Sequence, residues 1–263
     1  MFLMAIFYLN QGIILEQAIS SLIHEYLETV DIDGLYKNFH VEVSNSHPFA
    51  SLYVHANMKA ADLFPAIIVS TQSDDKTSEL SQLPADIDTV GLNENDIGIL
   101  TSNTYGEDFI DMSGETRKAG TKIPGLCAVT SKKVIQNLKE IIARQGYVYG
   151  YDIKTRRTDR VGIEIWADNE QVKNELYEIV RLFVSGGLLP LLQSRYKNFD
   201  ISIFDHSIHG QRSGNYNMDF DIPLSGSSIS FEVNYCIRQV LVDTGITKIN
   251  EVIPEVKDYV QKI

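Results

Sequence analysis

Cysteine is nearly missing from this 263-residue chain, which has only Cys127 and Cys236, far apart in sequence. Two such residues give no disulfide framework, so a reducing compartment is expected. Cys236 falls in an alternating strand pattern, where a small buried residue would serve equally well. Long apolar runs are missing too. The opening stretch Met1 to Leu9 is apolar but too short for a membrane span, has no basic n-region, and leads into Asn10, Gln11 and Gly12 instead of a small-residue cleavage site. It reads as a buried or partner-contacting arm, and the chain as soluble with no membrane partner. Basic residues are in deficit: 23 Lys and Arg against 35 Asp and Glu leave a net charge of −12. That argues against nucleic-acid binding as a main activity, because phosphate contact needs clustered Lys and Arg.

Catalytic and ligand signatures are equally sparse. There is no GxSxG, HExxH or CxxC motif, and neither cysteine has a histidine close in sequence. Acidic residues lack the DxDxDG spacing of a calcium loop. Ser185-Gly186-Gly187 follows a helical pattern where a phosphate loop would open one, so it reads as a helix C-cap. Asp205, His206 and His209 form the one cluster with metal-ligand character, since His-x-x-His can place two ligands on one ion if the chain turns there. A solvated turn is the preferred reading of that cluster, with Gly210 to Gly214 as a mobile hairpin tip, and a metal-dependent hydrolase using those three residues is the alternative. Trp166 ends a strand, where packing is the expected role and ligand stacking the alternative. No enzyme activity, cofactor or metal is expected.

Composition is adequate for a real core, with 44% hydrophobic and 10% aromatic residues. The charge is unevenly spread. From Asp74 to Glu115 there are eleven acids against one base, Lys76, while the rest of the chain is nearly neutral. This segment, rich in Gly, Asn, Ser and Thr, has brief apolar islands at Ile97 to Leu100 and Phe109 to Met112. It is too long for an ordinary connection and reads as an inserted, partly ordered excursion.

Periodicity outlines the elements. Ile14, Ala18, Leu22, Ile23, Tyr26 and Leu27 recur at helical spacing over Ile13 to Thr29. Phe39 to Val43 and Ser51 to His55 are short extended candidates. Pro65 opens a β-branched run, Ala66 to Thr71, whose unbroken apolar character predicts burial on both faces. Ser131 caps a second helix, reaching about Arg144 and ended by Gly146. Tyr147 to Lys154 and Arg160 to Ala167 predict a hairpin around a polar turn at Thr155 to Asp159. Asp168, with Gln171 three residues on, predicts a capping box for a helix stopped by Gly186 and Gly187. A short Leu-rich segment follows to about Tyr196, then strands at Phe199 to Phe204, Asn215 to Pro223 and Ser228 to Val242. The last alternates Phe231, Val233, Tyr235 and Ile237 with Ser230, Glu232, Asn234 and Arg238, giving one buried face and one polar or partner-facing side.

The predicted fold is α+β, a mostly antiparallel sheet packed by amphipathic helices with a long acidic insertion. Its organisation reads as an N-terminal apolar arm (1–12), a split core (13–71 and 147–245), an acidic insertion with a helix (72–146) and a C-terminal extension (246–263). The hairpin tip carries Arg156, Arg157 and Arg160, suited to an acidic neighbour or to phosphate. With Glu232, Asn234 and Arg238 on the last strand and Phe2 and Leu3 on the arm, these are the candidate subunit and partner contacts. A half-wet strand can extend a sheet across a subunit boundary, and an apolar arm can dock on a neighbour.

The helix Ile13 to Thr29, then Phe64-Pro65-Ala66-Ile67-Ile68-Val69, then Val161-Gly162-Ile163-Glu164-Ile165-Trp166-Ala167, the helix Asp168 to Val184 and a closing strand of aromatic alternation together resemble the tail terminator (tail completion, neck ring) family of tailed bacteriophages and phage-tail-like particles. The resemblance is one of pattern and covers a little over half of the chain; residues 72–145 and the tail after Gly245 depart from it. It implies a structural virion protein whose subunits close into a homo-oligomeric ring, a hexamer, at the tail and neck. Implied partners are the tail tube protein, a sheath where one exists, and the head-tail connector, with DNA passing through the bore without specific binding. A monomeric binding module with an acidic insert is the remaining alternative.

Overall fold

A computed structural model describes residues 6–30, 42–44, 64–73, 90–92, 97, 102–105, 108–112, 114–128, 132–145, 148–216 and 224–243. Helix α1 (Leu15–Thr29) forms where the apolar spacing places it, with Leu15, Ala18, Ile19, Leu22, Ile23 and Leu27 all buried along one side. Helix α2 (Lys132–Gln145) buries Leu138 and Ile142 and packs on the sheet. Its expected cap, Ser131, and Gly146 lie outside the described residues. Helix α3 (Glu170–Leu182) buries Val172, Leu176, Tyr177 and Val180. Its cap is Asn169, not Asp168: the Asn169 side chain accepts from the backbone N–H of Gln171 at 2.8 Å and of Val172 at 3.4 Å.

Gly186 and Gly187 do not stop this helix. The chain passes through a π-helical turn (Phe183–Gly187) and continues as α4 (Leu188–Arg195). Gly187 serves the turn by close approach: a Cβ there would meet the Phe183 ring at 2.9 Å. Phe183 is itself buried and stacks on Tyr26 of α1, with ring centroids 4.4 Å apart, so this turn fastens the two helices together.

The strands are β1 (Ile6–Ile13), β2 (Glu42–Ser44), β3 (Ala66–Ser73), β4 (Val90–Leu92), β5 (Phe109–Ile110), β6 (Thr116–Arg117), β7 (Leu126–Ala128), β8 (Val148–Ala167), β9 (Ser202–Ile203), β10 (His209–Tyr216) and β11 (Leu224–Asp243). Among the described residues nine of them make one sheet in the order β2-β3-β8-β11-β1-β7, with β4 joined to β8 and both β9 and β10 joined to β11. Every pairing is antiparallel except β2 with β3. The fold is α+β, a mostly antiparallel sheet packed by amphipathic helices.

Its spine is the β8–β11 pair, in unbroken register from Ser225 opposite Ala167 to Asp243 opposite Tyr149. The hairpin expected around Thr155 to Asp159 does not form, because those residues continue β8. The reason is local: Thr-Arg-Arg-Thr-Asp has no Gly, Pro or Asn to set a tight turn, whereas its polar side chains find cross-strand partners. Thr158 hydrogen-bonds Asn234 directly opposite, and Asp159 accepts from Tyr235 Oη at 2.9 Å.

Side-chain alternation gives the sheet two unlike faces. Ile67, Val69, Val161, Ile163, Ile165, Ile229, Phe231 and Val233 are buried in one cluster with α1, α3 and α4. Each fully buried side chain of this kind is worth about 1.5–3 kcal/mol relative to exposure. On the opposite face Trp166 packs on Phe64, Ala66 and Leu224, while Arg160 lies over Glu232. The Pro65-led run is buried from Ala66 through Val69, as its unbroken apolar character predicts.

Several elements depart from the expected boundaries. Ile6–Ile13 is a strand of the sheet, paired with β11 and β7, so this part of the N-terminal arm contacts its own chain. The strand expected at Phe199 to Phe204 shortens to β9, and the segment read as a loop at Gly210 to Gly214 lies inside β10. Strand β11 is not an edge. It has β8 along one side and β10, β9 and β1 in succession along the other, so it has no free backbone edge over those residues with which to pair a neighbouring subunit. Ser51 to His55 and 244–263 lie outside the described residues.

Candidate functional site

The candidate contact residues on β8 and β11 are brought together, though on a strand pair and not at a hairpin tip. Arg160 stands opposite Glu232, Arg157 opposite Tyr235, Arg156 opposite Cys236, and Arg238 opposite Lys154. Alternation divides them: Arg156 and Arg160 share a face with Glu232 and Asn234, while Arg157 turns to the other side with Tyr235. Arg160 Nη2 reaches Glu232 Oε1 at 3.4 Å, with both side chains substantially exposed, so the pair adds under about 1 kcal/mol. Burial, followed by its hydrogen bond to Asp159, pushes the Tyr235 hydroxyl up to about 12. Phe2 and Leu3 lie outside the described residues.

Asp205, His206 and His209 are all exposed, the first two in a short 3-10 turn (Asp205–Ser207) and the third at the start of β10. Among the described residues no group of three or more His, Cys, Asp or Glu side chains is placed to hold a metal. The turn is fixed by Ser207, whose Oγ donates to the Phe204 carbonyl at 2.6 Å and accepts from the Glu232 N–H at 2.9 Å. Trp166 donates from Nε1 to Glu164 at 3.0 Å and packs on the small apolar cluster, a packing role.

Beside this turn lies a cavity of about 240 Å³ lined by Arg181, Ser185, Asp205, Ile208, Gly210 and Ile229. It is bounded by the end of α3, the π-helical turn and the β10–β11 pair. Gly210 is required there: a Cβ would come within 1.9 Å of the Tyr177 hydroxyl oxygen. Leu182, next to Arg181, is 67% exposed, and Phe204, next to Asp205, is 42% exposed.

A second surface comes from the acidic segment. The described residues 102–105, 108–112 and 114–123 fold back on one another. Thr104 bridges Lys122, the Tyr105 N–H donates to Thr121 O at 2.9 Å, and β5 pairs with β6 further out. The tip is held by Asp111, which accepts from Arg117 Nε at 2.7 Å and from the Glu115 N–H at 3.0 Å. Below it, Asp108 accepts from Lys118 at 2.8 Å and from the Ala119 N–H at 2.8 Å, which draw its carboxyl below the ordinary range. Ile110 stands 71% exposed on β5. The apolar island Phe109 to Met112 overlaps this tip.

The base of this hairpin rests on a polar cluster that sequence reasoning missed. Arg195 donates to both carboxylate oxygens of Glu25, at 2.6 and 2.5 Å. Burial works against the Arg195 charge, but the hydrogen bond and charge of Glu25 outweigh it and raise its pKa. Tyr196 donates to Pro124 O at 2.7 Å, and burial first of all raises its pKa. The Tyr105 hydroxyl is buried beside them with no hydrogen-bond partner among the described residues, and burial pushes it up to about 12. No local motif marks a pair 170 residues apart. Among the described residues no helix is long and apolar enough to cross a membrane. The chain matches no protein-family model and no curated protein.

Proposed function

We propose that this chain is a non-enzymatic structural protein of a tailed phage or phage-tail-like particle, one subunit of a ring that caps the tail tube and joins it to the neck connector. One observation carries the reading. Strand β3, led by Pro65, lies antiparallel to Ile165, Ile163 and Val161 of β8, so the two separated segments that resemble tail terminators share one sheet. Helix α3 follows β8 directly and packs on β8 and β11, and α1 packs on β3, the order of elements on which the resemblance rests. The tail tube protein below and the connector above are the partners, six copies close the ring, and DNA traverses the bore without sequence-specific contact. The net charge of −12 suits a passage that must not retain phosphate.

Electron microscopy of particles assembled without this protein tests the reading. Tails of uncontrolled length, or tails without heads, are the expected result. Normal infectious particles of ordinary tail length would sink it.

A further inference from the structure

The core face of β11 changes character towards the start of the strand. Val233, Phe231 and Ile229 are buried apolar side chains, and the next two residues on that face, Ser227 and Ser225, are equally buried at 3% exposure but end in hydroxyls. Neither Oγ has a hydrogen-bond partner among the described residues. Buried polar groups in folded proteins are nearly always satisfied, by protein or by ordered water. Two such hydroxyls on one face, about 6.6 Å apart along the strand, mark a place and not an isolated defect. Serine also fills less of the space beneath α3 than the Ile, Phe and Val further along.

Helix α3 brings a third polar group to the same level. Ala167, the last residue of β8, stands opposite Ser225, so α3 starts at this end of β11 and runs towards Ile229. There Tyr177 packs on Gly210, the β10 partner of Ile229. One helical turn back from Tyr177, about 6 Å, is Lys173; one residue pair back from Ile229 on the same face, about 6.6 Å, is Ser227. Lys173 is therefore level with Ser227. It is 2% exposed, and because both serine hydroxyls lack a partner, its ammonium does not touch them directly. The cavity of about 240 Å³ begins at the next rung, Ile229 with Gly210, so solvent stands one residue pair away.

We propose that a water molecule is bound internally between α3 and β11, held by the Ser225 and Ser227 hydroxyls and the Lys173 ammonium. A buried water makes about three hydrogen bonds, and these groups provide them. An ammonium only donates, so the water oxygen accepts from Lys173, and its two protons go to the serine oxygens. Helix α3 then has two unlike flanks. Val172, Leu176 and Val180 lie on a dry core, while Lys173 closes a hydrated seam. The site is independent of the ring assignment.

Oxygen-17 magnetic relaxation dispersion of the full chain, which detects long-lived internal water, tests the site together with thermal midpoints. The Ser225→Ala, Ser227→Ala double variant is expected to lose the signal of at least one long-lived water and to melt at a lower temperature, because the water gives up two of its bonds. Lys173→Met, which keeps the length of the side chain, is expected to lose the same signal. Unchanged dispersion in the serine variant with a raised midpoint means that the hydroxyls are dry and simply unsatisfied, and overturns the proposal. Dispersion that falls in the serine variant but not in Lys173→Met overturns the part given to Lys173. Chloride-35 line broadening that the serine substitutions abolish places an anion there instead, and also overturns it.

Discussion

The Arg195 guanidinium grips the Glu25 carboxylate with two hydrogen bonds, joining the last turn of α4 to the middle of α1 across 170 residues of sequence. Its Arg195 side chain is only 9% exposed, that of Glu25 26%. Removing one partner strands the other with little water. Arg195→Leu is therefore expected to cost about 3 kcal/mol, and Glu25→Leu less, because a freed arginine is better able to reach solvent. The double variant should recover most of the loss. Urea midpoints for the four proteins, read as a double-mutant cycle, measure the coupling.

Tyr105 sits against that pair with an unpartnered hydroxyl. A buried hydroxyl without a partner is unfavourable by about 1–3 kcal/mol, so Tyr105→Phe is expected to hold or raise stability at pH 7. The alkaline limb should change as well. With folded-state values near 12 for Tyr105 and Tyr235 against an ordinary 10.0, the neutral form is favoured by folding. That stabilisation is complete below pH 10 and disappears as pH rises through 12. Urea titrations at pH 7, 9 and 11 should show a decline in the wild type that is shallower in Tyr105→Phe.

At Gly210 the tolerance is steric, since the Tyr177 hydroxyl oxygen occupies the space a Cβ would need. Gly210→Ala is expected to lose about 1–3 kcal/mol. Tyr177→Phe removes the atom in conflict, leaving the next contact at 3.1 Å, so the double variant should be less damaged than the sum of the singles. Equal damage in the single and double variants would contradict the packing described for this corner.

Asn169 and Asp168 make a contrasting pair. The Asn169 side chain caps α3 through two backbone N–H groups, and Asn169→Ala should cost about 1 kcal/mol. Asp168→Ala should be close to neutral. Thermal midpoints of the two variants distinguish the caps.

What the sequence made legible was what repeats locally. The α1 stripe from Leu15 to Leu27 and the apolar run from Ala66 to Val69 announce themselves by spacing and composition, and both form. Polarity in this chain is a poor guide to a turn. Thr155 to Asp159 is polar because side chains of β8 meet Asn234 and Tyr235 across the strand pair, a partnership fixed by residues 76 positions away. Gly187 and Gly210 look like punctuation in the sequence, but each is a place where an aromatic side chain comes close. The cavity and the Glu25–Arg195 pair arise from elements that meet only in the folded chain. Nothing within a short window of sequence could show them.

The unbroken register of β8 and β11 also has a mechanical meaning. Nineteen facing residue pairs run from Ser225–Ala167 to Asp243–Tyr149 without a bulge. A load applied in opposite directions at Val148 and Leu224 acts on all of those rungs in shear, so many must fail together. Pulling instead on Ala167 and Ser225, at the same end, opens them one at a time. A subunit held with β8 and β11 along the direction of tension would thus resist extension far better than one held across them.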